Sequence, residues 1–219
     1  MNTIYPIETG KFSGNVYLIK NNDHYVLIDT GLKSKRYFVV EKLRAFGCSE
    51  GKLKCILLTH GDVDHCGNAA YLSKLYNCPV GMHKNDSIVA VSGDMFINRR
   101  KKNPFVAFLV RKLMGMEKFK PDFYLEENQN LKAYGIDAKI VHTPGHSPGS
   151  VTIITSDGAC FCGDLYENTK KPKINALIDD PVEMLNSVSK LENYNITLIY
   201  PGHGKSFLPD EIGQRAEQI

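Results

Sequence analysis

The sequence predicts an α/β fold, and three features point there. Short apolar, β-rich runs alternate with stretches of helical periodicity in the order strand, helix, strand, helix, strand. Turn-forming clusters such as Asn21-Asn22-Asp23 and Ser156-Asp157-Gly158 split other runs into hairpins. Several strand-like runs end in a loop that joins His or Asp to Gly or Pro, as in sheets whose carboxyl ends carry chemistry. An apolar share of 42% in 219 residues supports one sizeable core, so a single domain over 1–219 is expected.

Composition narrows the function by exclusion. A net charge of +3 is too small to mark a nucleic-acid partner. No run approaches the ~20 apolar residues of a spanning helix, so no stable membrane insertion is expected. The start, Met1 to Pro6, lacks the basic head and apolar centre of an export signal, which places the chain in the cytoplasm. There the six cysteines, none in Cys-x-x-Cys spacing, are expected as reduced thiols.

Residues 15–20 and 25–29 form the first expected hairpin, which closes in Asp29-Thr30-Gly31. A helix follows from about 33 to 46, with Tyr37, Val40, Leu43 and Phe46 near helical spacing and Gly47 as its stop. The apolar run 54–58 reads as a buried strand, and it feeds the loop Thr59-His60-Gly61-Asp62-Val63-Asp64-His65-Cys66-Gly67-Asn68. Helix-forming residues continue to Tyr76, and Pro79-Val80-Gly81-Met82 reads as a short strand.

From 95 to 121 the character changes. Arg99, Arg100, Lys101, Lys102, Arg111, Lys112, Lys118 and Lys120 face Glu117 as the single acid. Asn103 can cap a helix that begins at Pro104, and Phe105, Phe108, Leu109, Leu113 and Met116 form a wide apolar stripe along it. This basic amphipathic insertion reads as a covering helix with a solvated basic face, a lid, a homodimer contact or a membrane-surface helix.

The second half repeats the logic. Residues 136–142 alternate like a strand and run into a loop that holds His146 between two prolines and two glycines. Residues 151–155 and 159–162 form a second hairpin whose last strand ends in Gly163-Asp164. A helix from Pro181 to Leu191 precedes the strand 196–200, which ends in Pro201-Gly202-His203-Gly204.

His60, Asp62, Asp64 and His65 alternate so that four metal-binding side chains can converge, and His146, Asp164 and His203 follow later strands. Asp29-Thr30-Gly31, the 60–65 loop, His146, Gly163-Asp164 and Gly202-His203 resemble, in order, the five motifs of the metallo-β-lactamase superfamily. One departure stands out, since Asp62 occupies the place of the second histidine in the His-x-His-x-Asp-His signature.

That resemblance implies the four-layer αβ/βα sandwich of the family and a glyoxalase II-like metallohydrolase. It implies two divalent metal ions, zinc first and iron or manganese as alternatives. His60, Asp62 and His146 would hold one ion, and Asp64, His65 and His203 the other. Asp164 would bridge them, and Asp29 would support the ligand loop from behind, where a bare helix cap is the simpler reading. A hydroxide shared by ions ~3.5–4 Å apart would attack an ester, thioester or lactone of a small molecule, with Asp64 orienting or receiving the proton. The aspartate at 62 makes the charged cluster neutral where a histidine would leave +1, which implies a milder Lewis acid, a harder first site, or an Asp62 that reaches its ion only through water.

Two rival readings remain at this stage: a di-iron oxidoreductase of the flavodiiron type without its flavodoxin domain, and a metal-stabilised binding protein with residues 95–121 as its contact surface. A β-lactam substrate fits poorly with the missing export signal, nuclease activity would need a further domain, and the short tail after His203 weakens the case for glutathione thioesters. His24, His83 and His142 read as structural, with His142 placed beneath the site, and Cys66, Cys160 and Cys162 read as buried core thiols. Lys170 and Lys171 would either meet an acidic substrate or stay solvated.

Overall fold

The computed structural model describes residues 2–100 and 103–212. Lys101 and Lys102, counted in the basic insertion, lie outside the described residues. The first half contributes β1 (Thr3–Ile7), β2 (Val16–Asn21), β3 (His24–Ile28), α1 (Arg36–Ala45) and β4 (Leu53–Leu57). It continues with α2 (Val63–Cys66), α3 (Ala69–Tyr76), β5 (Val80–Met82), α4 (Ser87–Ser92), α5 (Pro104–Met114) and β6 (Phe123–Tyr124). The second half supplies β7 (Ala138–His142), β8 (Val151–Thr155), β9 (Ala159–Asn168), β10 (Lys173–Ile174), α6 (Pro181–Leu191) and β11 (Leu198–Gly204).

Two sheets result. The first runs β1-β2-β3-β4-β5-β6, antiparallel through β3 and parallel beyond it. The second is built on the long β9, which pairs with β8 and β10 antiparallel and with β11 parallel, while β7 flanks β8.

Alternation along the strands stacks these sheets. Tyr17, Ile19, Val26, Ile28, Cys55 and Leu57 face one way and meet Ile140, Ile153 and Phe161 of the second sheet. Their neighbours Leu18, Leu27 and Ile56 face the other way, against Val39 and Leu43 of α1 and Leu72 of α3. On the outer face of the second sheet, Val141, Cys160 and Cys162 pack on Met184, Val188 and Leu191 of α6. The order helix, sheet, sheet, helix is the four-layer αβ/βα arrangement. Burying each of these large side chains stabilises it by about 1.5–3 kcal/mol, so both sheets depend on a shared centre.

Local differences from the expectation have physical reasons. In α1 Val40 and Leu43 of the expected stripe are buried and Phe46 packs against the same core, whereas Tyr37 is 80% exposed and Val39 is buried in addition. Asn103 caps α5 as its sequence requires, accepting from the N–H groups of Phe105 and Val106. The apolar stripe of α5 is nonetheless in solvent: Phe105, Phe108 and Leu113 are exposed and only Ala107 is buried. Met116, beyond the helix, does pack inward on Cys66. Lys170 and Lys171 are exposed.

Two strands also outrun their expected ends. β9 continues through Asp164 to Asn168, and β11 carries His203 within it rather than in a following loop. The reason is mutual pairing, since β11 follows β9 with irregular register about Pro201 and stays paired from His203↔Glu167 to Gly204↔Asn168. No helix among the described residues is long and apolar enough to cross a membrane.

Candidate metal centre

The loops after β4 and β7, together with β9 and β11, bring the seven candidate side chains close to one another. Two compact donor groups lie there: His60, His146 and Asp164 in one, and Asp64, His65 and His203 in the other, with donor atoms in each mutually within 4.8 Å. His203 Nε2 lies 3.2 Å from Asp64 Oδ2 and 3.3 Å from His65 Nε2. Asp164 sits between the groups, with Oδ1 3.3 Å from His65 Nε2 and Oδ2 3.5 Å from His203 Nε2 and 3.8 Å from His146 Nε2. The His60 and His65 rings are 4.1 Å apart by centroid.

The outer nitrogen of each of three imidazoles is anchored, which aims the other at the centre. Asp29 is buried with φ +57°, a left-handed setting worth about 1 kcal/mol of strain, and its carboxylate accepts from the Thr59 N–H (2.8 Å) and hydroxyl (2.7 Å). The same carboxylate faces His65 Nδ1 at 2.9 Å. Because the Thr59 hydroxyl proton goes to Asp29, its oxygen is free to accept from His60 Nδ1 at 3.0 Å. His146 Nδ1 donates to the Leu177 carbonyl at 2.6 Å. In all three rings Nδ1 is thereby the proton-bearing outer nitrogen and Nε2 points inward, the orientation that ligating histidines adopt; His60 alone holds a free Nε2 lone pair, while Asp62 and the central carboxylates raise the pKa of His146 and His65.

Donor chemistry and orphaned atoms both fit divalent ions. His60 Nε2 is buried with no hydrogen-bond partner, and its closest carboxylate contact is Asp62 Oδ2 at 3.9 Å. Burial, reinforced by the His65 and His146 rings, holds the His60 pKa well below its ordinary value, so it keeps its lone pair. At His65 burial opposes a charge, yet Asp164, Asp64 and Asp29 outweigh it and lift the pKa well above the usual range. His203 is likewise raised, to about 9, by Asp164 and Asp64 against burial. A field that holds protons this firmly is one that attracts cations.

Asp62 differs from the rest. Its Oδ2 lies 3.1 Å from His146 Nε2, but its Oδ1 accepts from the Arg99 guanidinium, and it falls outside both compact groups. Burial alone would raise its pKa; Arg99 and His146 reverse the sign and hold the carboxyl well below the ordinary range.

The sequence matches the family model described as the metallo-beta-lactamase superfamily across residues 9–203. The chain belongs to this superfamily. It is 28% identical over 202 residues to the probable metallo-hydrolase YybB of Bacillus subtilis (strain 168), covering 90% of this chain and 83% of that one. It is 27% identical over 158 residues to the hydroxyacylglutathione hydrolase GloC of Haemophilus influenzae, covering 70% and 67%. Its fold also matches TTHA1623, solved in a di-iron-bound form, with TM-score 0.72, 26% identity, and 93% and 94% of the two chains covered.

Two residues beside the donor groups, Asp86 and Arg99, carried no functional signal in the sequence, whereas Gly202 was visible there as part of the Gly202-His203 motif. Asp86, fully buried, accepts from Gly61 N (2.8 Å), Ser147 Oγ (2.7 Å), Gly149 N (2.8 Å) and Asn98 Nδ2 (2.8 Å), tying the His60 loop to the His146 loop. Arg99 read as one member of a basic run that was a solvated face, a lid, a homodimer contact or a membrane-surface helix, and its side chain is 8% exposed, with its guanidinium also donating to the His146 carbonyl. Burial works against that charge, but Asp62, with Asp86 and Asp179, more than offsets it and raises the Arg99 pKa. Gly202 is glycine for want of space: a Cβ there would meet Asp164 Oδ1 and lie 2.8 Å from His65 Cε1.

The remaining histidines stay outside the centre. His142 stacks on His83 with centroids 4.1 Å apart and faces the Pro148 carbonyl, rather than sitting beneath the donor groups, and His24 contacts the Gly135 carbonyl. A cavity of about 260 Å³ opens beside Asp62 and His146, walled by Met95, Phe96, Leu177 and Ile178.

Proposed function

We propose that the chain is a binuclear metal-dependent hydrolase acting on an ester, thioester or lactone of a small molecule. The observation that carries this reading is the buried His60 Nε2, aimed at other ligand atoms and left without a hydrogen-bond partner. His60, His146 and Asp164 would hold one divalent ion, with Asp62 beside it, and Asp64, His65 and His203 the other. When bound, such ions supply Lewis acidity and an acidified water.

The chain's own residues then do the rest. Asp29 and Thr59 keep His65 and His60 turned inward, and Leu177 does so for His146. Asp64, the most solvent-accessible of the three central carboxylates, would take a proton from the attacking water at Oδ2. The acyl portion of the substrate would lie against Met95, Phe96, Leu177 and Ile178, and a cavity of about 260 Å³ sits just under the usual ligand-pocket range, which favours small acyl groups.

Elemental analysis of purified protein, followed by assay on a panel of small esters, thioesters and lactones, tests the reading. Two equivalents of metal per chain, hydrolysis abolished by a chelator, and Asp64→Asn losing most of the rate are the expected results. Metal-loaded protein that turns over none of the panel would overturn it. A second reading, a di-iron oxidoreductase, draws support from the carboxylate at 62 and from the di-iron form of TTHA1623. Colour in the iron-loaded protein and a spectral response to oxygen or nitric oxide would favour that reading instead.

A further inference from the structure

Arg99 enters the centre from the insertion, and three successive residues fasten it there. Asn98 Nδ2 donates to the Asn85 carbonyl at 2.9 Å and to Asp86 at 2.8 Å, and the Arg100 N–H donates to Asp179 at 2.8 Å. Between them the Arg99 guanidinium donates to Asp62 Oδ1 and to the carbonyl of His146. Asp62 is thus divided, one oxygen on the guanidinium and the other 3.1 Å from His146 Nε2. Arg100 and Arg111, by contrast, keep side chains 69% and 50% exposed.

We propose that Asp62 and Arg99 together replace a neutral ligand, and that Arg99 is a positioning residue that weakens the hold of the His60 end of the centre on its ion. The proposal rests on reading the centre as a metal site. Asp62, Asp64 and Asp164 give the donor set three negative charges, one more than a neutral residue at 62 would allow. The guanidinium removes that excess, and it does so inside a water-poor pocket where charge acts strongly. It also occupies Asp62 Oδ1, which leaves Oδ2 as the oxygen that could serve a bound ion. Among the described residues Asp64 is faced by His65 and His203, which can give up their protons to an ion, and by no arginine or lysine, so the two ends should differ in affinity.

Titration of the metal-free full chain with cobalt(II), followed by absorption and by calorimetry, separates the two binding steps. The wild type is expected to bind two ions unequally. Arg99→Gln should tighten the weaker step by at least about tenfold and leave the tighter step alone, while Arg99→Lys, which keeps the charge, should stay near wild type. Asp62→Asn should weaken the same step, and the Asp62→Asn, Arg99→Gln double variant should return it to within a few-fold of wild type. That compensation keeps the test open should Arg99→Gln alone fold poorly.

A role for Arg99 in holding Asp62 in place would have the opposite sign: Arg99→Gln would loosen the weaker step. That outcome, or two unchanged affinities, overturns the proposal while leaving the metal centre standing. A wild type that binds no cobalt overturns both.

Discussion

Asp86 gives the sharpest test of how the two ligand loops are held. Its carboxylate is fully buried and takes four donors: two backbone N–H groups, a serine hydroxyl and an amide. Asp86→Asn keeps one acceptor oxygen and turns an NH2 group toward the other two donors. With hydrogen bonds to a charged acceptor worth ~1.5–3 kcal/mol, and buried donors costing ~1–3 kcal/mol when unmet, this change should cost about 3 kcal/mol. Asp86→Ala deprives all four donors and should cost about 5 kcal/mol, a large part of the stability of a typical domain. Urea unfolding of the metal-free chain, read by circular dichroism, measures both. Because Asp86 joins Gly61 to Ser147 and Gly149, the Asn variant should also weaken the His60 and His146 end of the centre more than the His203 end. A loss below 1 kcal/mol for Asp86→Ala would refute the reasoning, since it would mean that the loops find other partners.

Further outcomes can be checked. Gly202→Ala would set a methyl 2.8 Å from His65 Cε1 and against Asp164, so it should lower bound metal, measured per chain, while the far-ultraviolet spectrum is kept. His83 is pushed down to about 4 by burial and by His142. The unfolded chain therefore binds the extra proton between pH 4 and 6.5, and stability present above pH 6.5 is lost as the pH falls through that window. Discounted for its partial exposure, the effect is about 1–2 kcal/mol. His83→Asn keeps the acceptor for the Asn85 N–H and should remove about that much of the fall in urea unfolding free energy between pH 7 and 4.5; parallel curves would count against it. Serine at Phe105, Phe108 and Leu113, which are 68%, 54% and 75% exposed, should each change unfolding free energy by about 0.5 kcal/mol or less in a monomeric sample.

Much of this was legible from local chemistry. The hairpins, the cap at Asn103 and the helix at Pro181 follow from short-range rules, and each appears where those rules put it. The motif residues were readable because a His or Asp beside Gly or Pro at a strand end has few structural reasons to be there. Residues that act through tertiary contact gave no such sign. Asp86 follows a short strand like any capping acid, and its four partners come from three distant segments. Arg99 could not be told from its basic neighbours in the chain, and only the folded position of Asn98 and Arg100 turns it inward. Tyr37 alone was misplaced on α1, for a related reason: Tyr37 and Val39 differ by about half a turn, and packing on the sheet buries Val39 with Val40 and Leu43.

These unforeseen contacts are not spread evenly over the centre. At one end, His203 lies in a paired strand, as the central Asp164 does, and His65 in a helix turn braced by Asp29, so regular backbone fixes them. At the other, His60, Asp62 and His146 lie outside strands and helices and depend on Asp86, Arg99 and the Leu177 carbonyl. Of these supports Asp86 directly precedes α4, whereas Arg99 belongs to the insertion and Leu177 to the segment before α6, and those last two segments also wall the cavity. Changes in those segments therefore reach the cavity and the His60 end together, while the His203 end keeps its geometry. Substrate choice and first-site metal affinity should vary jointly in this fold, and a variant that widens the cavity at Phe96 without altering metal affinity would break that link.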